Sequence, residues 1–317
     1  MERAPRPAIQ LYSVRELPEP LPDVIRRVSN AGFEGVEFAN RFFEEDPEAV
    51  ADALAETGVV PVAAHADLSA VEEAVEGAND LLERLETVGC DRVIVPHISP
   101  RHFQTRWAVR SLSYRLTDVA HELDAHGVRL GYHTMRHDLY PMFPEAVGTV
   151  FDQTPVPQGV ANIGAQALAR LRRADPRADL AEVPSESGFW NLLARTTPED
   201  VCFEVDVGEV TAAGFDPAAA VELAAGRIPC IHVRDVAATG RFGTYDNADP
   251  GEGDVDFDAV AHAARKSGTE WLVYEHDDPD DPHRTIDDGA ALLGRLCGDD
   301  DTDSAELAGS ARIESPR

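Results

Sequence analysis

Lysine is almost absent from this chain of 317 residues: Lys266 is the only one, and arginine supplies the rest of the 28 basic side chains. The 58 acidic side chains give a formal net charge of −30. A nucleic-acid-binding protein needs a basic surface, so the composition argues against that class of partner. Because the acidic residues are spread along the chain, we expect a solvated anionic shell of the halophilic kind, which says more about habitat than about substrate.

Cysteine is also scarce. The four cysteines, Cys90, Cys202, Cys230 and Cys297, are far apart and form no CxxC pair, which argues against a disulfide framework. The sequence has no uninterrupted apolar run of about 18 residues and no basic segment followed by an apolar stretch at its start. We therefore expect a soluble, cytoplasmic protein without a membrane partner.

Short apolar runs rich in β-branched residues recur eight times and predict eight strands. They cover residues 8–14, 35–38, 59–64, 92–95, 128–132, 201–205, 228–233 and 271–274. Stretches with helical spacing, such as the one containing Leu112, Leu116 and Val119, separate most of them. This alternation predicts a parallel sheet, and the chain length fits a single α/β domain, a (β/α)8 TIM barrel over residues 1–297.

One connection is much longer than the rest. Between the fifth and sixth predicted strands we expect an insertion over about residues 140–186, which serves as a lid, as a partner contact or as ordinary surface elaboration. Residues 298–317 are acidic and have almost no large apolar side chain, so we expect a disordered tail there.

Acidic and histidine residues follow the last four predicted strands: Asp138, Asp206, His232 and Glu275. The carboxyl ends of barrel strands form one rim, so these side chains can converge on one metal ion. Taken singly, a carboxylate there is solvated, paired or bound to a cation, and a histidine is more often a hydrogen-bonded core residue. Their order on successive strands favours a metal site. Carboxylate and imidazole ligands without thiolate suit Mn²⁺ first, with Mg²⁺ or Co²⁺ as alternatives.

Seven motifs resemble the sugar phosphate isomerase/epimerase family, which consists of xylose isomerase-like TIM barrels and is related to inosose dehydratases and ketose 3-epimerases. They are IQLYSVRE, AGFEGVEF, GVRLGYH, CFEVDVGEVTAAGFDP, HVRD, GEGDVDF and WLVYEHD. The resemblance covers about Pro7 to Leu296 apart from the insertion. It implies a divalent metal held by Asp138, Asp206, His232 and Glu275, with Glu275 and Asp138 as the catalytic carboxylates.

The resemblance also implies that Glu37 and His65, which close the second and third predicted strands, face the substrate. A loop salt bridge or a capped histidine is the alternative for each of them. His133, Arg234 and Asp235 are further candidates for substrate binding at the same rim.

The chain departs from the family pattern after the fifth strand. Relatives often read YHNH followed by a glutamate three residues later, whereas this chain reads YHTMRHD and has Met135 and Asp138 at those positions. His133 or His137 can replace Asp138 as a ligand. Glu209 stands where many relatives have a histidine or an aromatic residue, so the substrate remains open.

A divalent cation bridging a sugar carbonyl and its neighbouring hydroxyl stabilises an enediolate while carboxylates move the proton, which predicts a sugar isomerase or epimerase. Loss of a β-hydroxyl from the same enediolate makes a dehydratase the runner-up, and a non-catalytic polyol-binding barrel is a further alternative. A DNA-repair endonuclease of related architecture is disfavoured, because it needs more histidine and aspartate ligands and a basic rim, whereas the rim of this chain is rich in acidic residues. No Gly-rich cradle with lysine is present, and Arg234 or Arg241 would have to hold any phosphate, so a neutral sugar or cyclitol is preferred. The sequence does not decide whether the chain forms a homo-oligomer.

Overall fold

A computed structural model describes residues 4–143, 180–239 and 244–298 of the chain. Eight parallel strands pair in chain order, and the last closes against the first to form a barrel. These strands are β1 (Arg6–Gln10), β2 (Gly35–Phe38), β3 (Val60–His65), β4 (Arg92–Val95), β5 (Arg129–His133), β6 (Val201–Asp206), β7 (Cys230–Val233) and β10 (Trp271–Tyr274). The predicted (β/α)8 TIM barrel is confirmed.

The described residues include ten α-helices around the barrel. They are α1 (Leu21–Ala31), α2 (Pro47–Thr57), α3 (Leu68–Val75), α4 (Leu81–Val88), α5 (Arg106–Asp124), α6 (Gly188–Leu193), α7 (Val207–Ala213), α8 (Pro217–Leu223), α9 (Phe257–Ser267) and α10 (Pro282–Leu296). In α5, Leu112, Leu116 and Val119 lie one turn apart and are all buried, so the helical spacing in the sequence marks the face that packs on the core. Aspartate side chains cap several helix starts; Asp281, for example, accepts hydrogen bonds from two N–H groups at the start of α10.

The first strand is shorter than its apolar run predicts. It ends at Gln10, and Leu11–Val14 form a 3-10 helix instead of continuing the strand. The Gln10 side-chain oxygen accepts a hydrogen bond from the N–H of Tyr12, which stabilises this turn. Further 3-10 helices lie at Asn40–Phe43, Pro100–Phe103 and Arg136–Asp138, so tight turns follow four of the strands at the carboxyl end of the barrel.

The interior of the barrel differs between its two ends. Near the amino ends of the strands it is apolar, and Gly35 lies where an added Cβ atom would be 2.6 Å from Val62 and 2.7 Å from Trp271. Toward the carboxyl ends it is polar, with Glu37, Glu204 and His232 all fully buried. Within the described residues, the buried carboxylates and histidines of the barrel therefore lie at its carboxyl end.

A small antiparallel hairpin, β8 (Val236–Ala238) and β9 (Tyr245–Asn247), follows β7 at the polar end. The residue before it, Asp235, accepts hydrogen bonds from the backbone N–H groups of Val236, Gly251, Gly253 and Val255. This carboxylate thereby fixes the loop between the hairpin and α9 over the rim of the barrel.

Most of the predicted insertion and nearly all of the predicted tail lie outside the described residues, as does Arg241. The edges of the insertion are anchored, since the N–H of Met142 donates to the carbonyl of Glu186 and that of Phe143 to the carbonyl of Gln104. All four cysteines are free. Within the described ranges, no helix has the length and apolar composition to cross a membrane. The domain boundaries stay predictions.

Candidate metal centre

Four buried side chains at the carboxyl ends of β5, β6, β7 and β10 come together: His133, Asp206, His232 and Glu275. Each offers one ligand atom, and these atoms lie within 4.8 Å of one another. His133 Nε2 is 3.5 Å from Asp206 Oδ2, and His232 Nδ1 is 2.9 Å from Glu275 Oε2. Two imidazoles and two carboxylates are a donor set that divalent transition metals accept.

The state of His133 tests whether an ion fits this cluster. Both of its ring nitrogens are buried, and neither has a hydrogen-bond partner. A buried polar atom left without a partner costs about 1–3 kcal/mol, so native proteins rarely leave one. A cation bound between His133 and Asp206 would supply the missing partner, and the residues therefore fit a divalent metal.

Asp206 is held in place by its own strand and by the helix that follows. It is the last residue of β6 and the N-cap of α7, where its Oδ1 accepts a hydrogen bond of 2.8 Å from the N–H of Glu209. Its own N–H donates to Thr134 Oγ1, on the segment that follows β5. These contacts leave Asp206 Oδ2 facing the cluster.

Arg234 is the one arginine among the described residues that line the pocket above this cluster. Its guanidinium donates to Glu209 Oε1 at 2.8 Å and to Asp277 Oδ2 and Asn247 Oδ1 at 2.9 Å, and its Nη2 is 2.8 Å from Asp206 Oδ2. Its Nε donates to Asp206, so four of its five N–H groups make hydrogen bonds and all three nitrogens contact acceptors in the protein. We predicted that Arg234 binds substrate, but this geometry leaves no guanidinium nitrogen free for a phosphate.

The pKa values of the cluster follow from these contacts. Burial by itself would raise the pKa of Asp206, but Arg234 and His133 outweigh it and hold the pKa below its ordinary value. Burial likewise opposes the charged form of His232, yet the nearby carboxylates, led by those of Glu204 and Glu275, raise its pKa well above the ordinary value. A histidine between carboxylates is therefore protonated until a metal displaces the proton.

A second group of possible ligands lies deeper in the barrel: Glu37, His65, Glu204 and His232. His232 Nε2 is 2.6 Å from Glu37 Oε2, and His65 Nε2 is 2.9 Å from Glu204 Oε2. The Gln10 side-chain amide also donates to Glu37 Oε2, at 2.6 Å. His232 thus stands between the two clusters, with one ring nitrogen toward each.

Asp138 does not join either cluster, which differs from the expectation drawn from the sequence. Its Oδ2 accepts hydrogen bonds from the hydroxyl of Tyr132 and from the N–H of Met135, and its Oδ1 is 3.0 Å from His137 Nε2. The short side chain turns back to cap the 3-10 helix that contains it, and burial raises its pKa to about 6. His133, the last residue of β5, reaches the cluster instead.

Two of the predicted substrate-binding residues also have other partners. The Asp235 carboxylate is occupied by four backbone N–H groups, as described above. Glu37 is fully buried beneath the cluster and does not line the pocket, whereas His65 does line it. Glu204 was not among the predicted site residues. Its position two residues before Asp206 on β6 nevertheless places both side chains on the same face of the strand.

The first cluster, formed by His133, Asp206, His232 and Glu275, opens into a pocket of about 490 Å³. Side chains from both clusters line it, together with polar and aromatic residues of the surrounding loops. These are Tyr12, Asn40, Phe43, His65, Asp67, His133, Asp206, Glu209, Arg234, Glu275 and Asp277. The volume falls in the range of small-molecule sites, and the lining is strongly acidic.

Comparison with known proteins agrees with this architecture. The family model of xylose isomerase-like TIM barrels matches residues 25–155. No curated protein matches the sequence. Among solved structures, the chain is similar to a sugar phosphate isomerase/epimerase from Parabacteroides distasonis ATCC 8503, with a TM-score of 0.66 and 15% identity over 92% of this chain and 94% of that chain.

Two further structures share the fold. One is an IolI protein with a bound zinc atom (TM-score 0.64, 13% identity, 92% of this chain and 98% of that chain). The other is the probable 3-DHS dehydratase AsbF from Bacillus anthracis (TM-score 0.61, 12% identity, 91% and 98%). At such identities the likeness shows the fold alone: the chain has the fold of the xylose isomerase-like TIM barrels, in agreement with the family-model match over residues 25–155 and with the resemblance seen in the sequence motifs.

Proposed function

We propose that this protein is a divalent-metal-dependent sugar isomerase or epimerase. The observation that supports this best is the convergence of His133, Asp206, His232 and Glu275 beneath an acidic pocket of about 490 Å³. Relatives of the same fold are described as sugar phosphate isomerase/epimerases, and one carries zinc. In this proposal His133 replaces Asp138 as the ligand from β5.

The proposed metal ligands differ in what they do besides binding the ion. Asp206 is fixed by Arg234 and by its helix-cap hydrogen bond, so we assign it to binding alone. Glu275 lines the pocket and is held by His232, which places a carboxylate where it can take a proton from a bound substrate and return it. The metal, when bound, supplies a Lewis acid for the carbonyl and hydroxyl oxygens of the sugar and so favours an enediolate.

The proposed ion is Mn²⁺. Because a second imidazole stands where the sequence suggested a carboxylate, Co²⁺ and Zn²⁺ are the ions to compare with it, together with Mg²⁺. The proposed substrate is a neutral keto-sugar or cyclitol. Arg234 has no free guanidinium nitrogen, and Asp67, Glu209 and Asp277 make the pocket unfavourable for a phosphate.

A dehydratase is the second candidate, supported by the similarity of the fold to AsbF. In that reaction the proton taken by Glu275 and a hydroxide from the neighbouring carbon leave together as water. Both reactions use the same ligands and the same base, so only the product separates them.

The test is a screen of the metal-loaded protein against keto-sugars and inososes in deuterated water, read by NMR and mass spectrometry. An isomerase or epimerase gives a product of unchanged composition apart from deuterium gained at the reacting carbon, whereas a dehydratase gives a product that has lost water. Asp206→Asn should abolish turnover, while Asp52→Asn, on the exposed face of α2, serves as the control. Turnover that persists in Asp206→Asn or after metal removal would refute the proposal.

A further inference from the structure

We propose that the barrel holds a second divalent cation, ligated by Glu37, His65 and Glu204 on the inner side of the first. Glu204 precedes Asp206 by two residues on β6, which places this site about 7 Å further into the barrel, toward the amino ends of the strands. The second site does not depend on whether the first is catalytic.

The distances suit a shared ion. His65 Nε2 is 2.9 Å from Glu204 Oε2 and 3.3 Å from Glu37 Oε2. Ligand atoms bound to one ion at about 2.0–2.2 Å are separated by roughly 3 Å, so these atoms need little movement to bind it. Glu37 and Glu204 have no exposed surface, and the side chain of His65 is only 12% exposed.

Unpartnered oxygens give independent support. Glu37 Oε1 and Glu204 Oε1 are both buried and accept no hydrogen bond, although Glu204 Oε1 is 3.1 Å from His232 Nε2. Each carboxylate therefore has one oxygen that accepts no hydrogen bond, and the His232 Nε2 near Glu204 Oε1 is engaged with Glu37 Oε2 instead. A cation fills two such acceptors at once.

Charge balance points the same way. Six carboxylates converge at this end of the barrel, from Glu37, Glu204, Asp206, Glu209, Glu275 and Asp277. Among the described residues, two permanent cations contact them: Arg234, and Arg136, whose Nε is 3.4 Å from Glu209 Oε2. One divalent ion leaves two uncompensated negative charges, whereas two divalent ions leave none.

His232 separates the two sites without serving both. A neutral imidazole has one free ring nitrogen and one N–H group. Nδ1 faces Glu275 and the first site, so Nε2 carries the hydrogen and donates it to Glu37 Oε2, 2.6 Å away. A carboxylate that receives the second N–H of a metal-bound histidine orients that ligand, and here the same carboxylate would also bind the next ion.

The experiment measures metal content. The full-length protein is stripped with a chelator, reloaded with Mn²⁺, freed of excess ion and analysed for manganese per chain. We expect two equivalents in the parent, one in Glu204→Gln and one in Asp206→Asn, while Glu86→Gln, exposed on α4, keeps both. Electron paramagnetic resonance should show a coupled pair of Mn²⁺ ions in the parent and an isolated ion in each single-site variant.

The stoichiometry of the parent decides the question without any variant. The second site is overturned, and the first left intact, if the parent binds one equivalent that Glu204→Gln retains and Asp206→Asn loses. In that case Glu37 and Glu204 share a proton instead of binding an ion. The proposed metal centre is overturned instead if the parent binds one equivalent that Glu204→Gln loses and Asp206→Asn retains. Circular dichroism confirms that each variant is folded.

Discussion

The two ends of the barrel interior are built from the same strands but have opposite chemistry. On β7, Cys230 belongs to an apolar cluster with Ala8, Val62 and Trp271, whereas His232, two residues later, contacts three carboxylates. Because alternate residues of a strand face the same side, the change occurs within about 7 Å. The amino end is packed for stability. The carboxyl end concentrates negative charge that arginine balances in part and that a ligand or protons balance further.

The largest effect should come from Glu275→Gln, at the charged end. Glutamine keeps the size and one oxygen ligand but cannot act as a base, so turnover should fall by ~10²–10⁴ while metal affinity weakens modestly. The measurements are kcat with the substrate that the screen identifies, metal content, and exchange of the substrate C–H with solvent deuterium. Glu270→Gln, exposed just before β10 at the other end of the barrel, is the matched control. Full turnover with exchange intact would mean that another group is the base.

Ile94→Ala should show the opposite pattern at the apolar end. Ile94 has no exposed surface and packs in the apolar cluster beside Gly131, so truncation should lower the free energy of unfolding by about 2–5 kcal/mol. Metal affinity at 25 °C should not change. Ile94→Val provides the graded control, with a loss of about 0.5–1.5 kcal/mol. A loss of metal binding in folded Ile94→Ala would show that the two ends are not independent.

Asp138→Asn should give a smaller, pH-dependent gain in stability. The pKa of folded Asp138 is raised to about 6 from 3.8, so the folded chain binds this proton more tightly than the unfolded chain does. The stabilising contribution of the protonated group is complete below about pH 4 and is lost as pH rises through 6. The advantage of the asparagine variant should therefore grow over that window to about 2–3 kcal/mol.

Urea unfolding of the parent and Asp138→Asn, both stripped of metal, between pH 4 and 8 measures this difference. A difference that does not vary with pH would contradict the raised pKa of the buried Asp138 carboxyl. Manganese content also separates Asp138 from the ligands, since the variant should retain all of its metal. Loss of an ion would restore the role that the sequence resemblance gave to Asp138.

Asp277→Asn should have the smallest effect. The Asp277 side chain is 41% exposed and is one of several acceptors around Arg234, which keeps Asp206, Glu209 and Asn247. Loss of a partly exposed ion pair costs about 0.2–1 kcal/mol. We therefore expect metal affinity to change by less than about fivefold and the free energy of unfolding by less than about 1 kcal/mol. Isothermal titration with Mn²⁺ measures the first of these. A larger loss of affinity would show that Asp277 sets the position of Arg234.

The parts of the fold that could be predicted are those that depend on local patterns. Apolar runs located all eight barrel strands, and Asp206, His232 and Glu275 are brought together because each lies within one residue of the end of its strand. The exchange of Asp138 for His133 depends on a 3-10 helix that starts three residues after the strand ends. A shift of that size is within the uncertainty of any strand boundary read from sequence.

Other features depend on contacts between distant segments. Glu204 lies inside an apolar run, and its partner His65 is 139 positions away. The partners of Arg234 come from α7, β9 and the segment after β10, so nothing near Arg234 in the sequence shows that all its guanidinium nitrogens are engaged. The sequence indicates His65 and Arg234 as candidates, but it shows neither their partners nor a role for Glu204.

The contact between Asp235 and Gly253 has a consequence for how this chain can vary. A Cβ atom at position 253 would lie 2.0 Å from Asp235 Oδ1, so the glycine is required as long as the carboxylate holds the loop. Loss of the carboxylate would in turn leave the N–H groups of Gly251, Gly253 and Val255 without their acceptor. Neither position can therefore mutate first without penalty, and random mutagenesis under selection should recover changes at the two positions only as pairs.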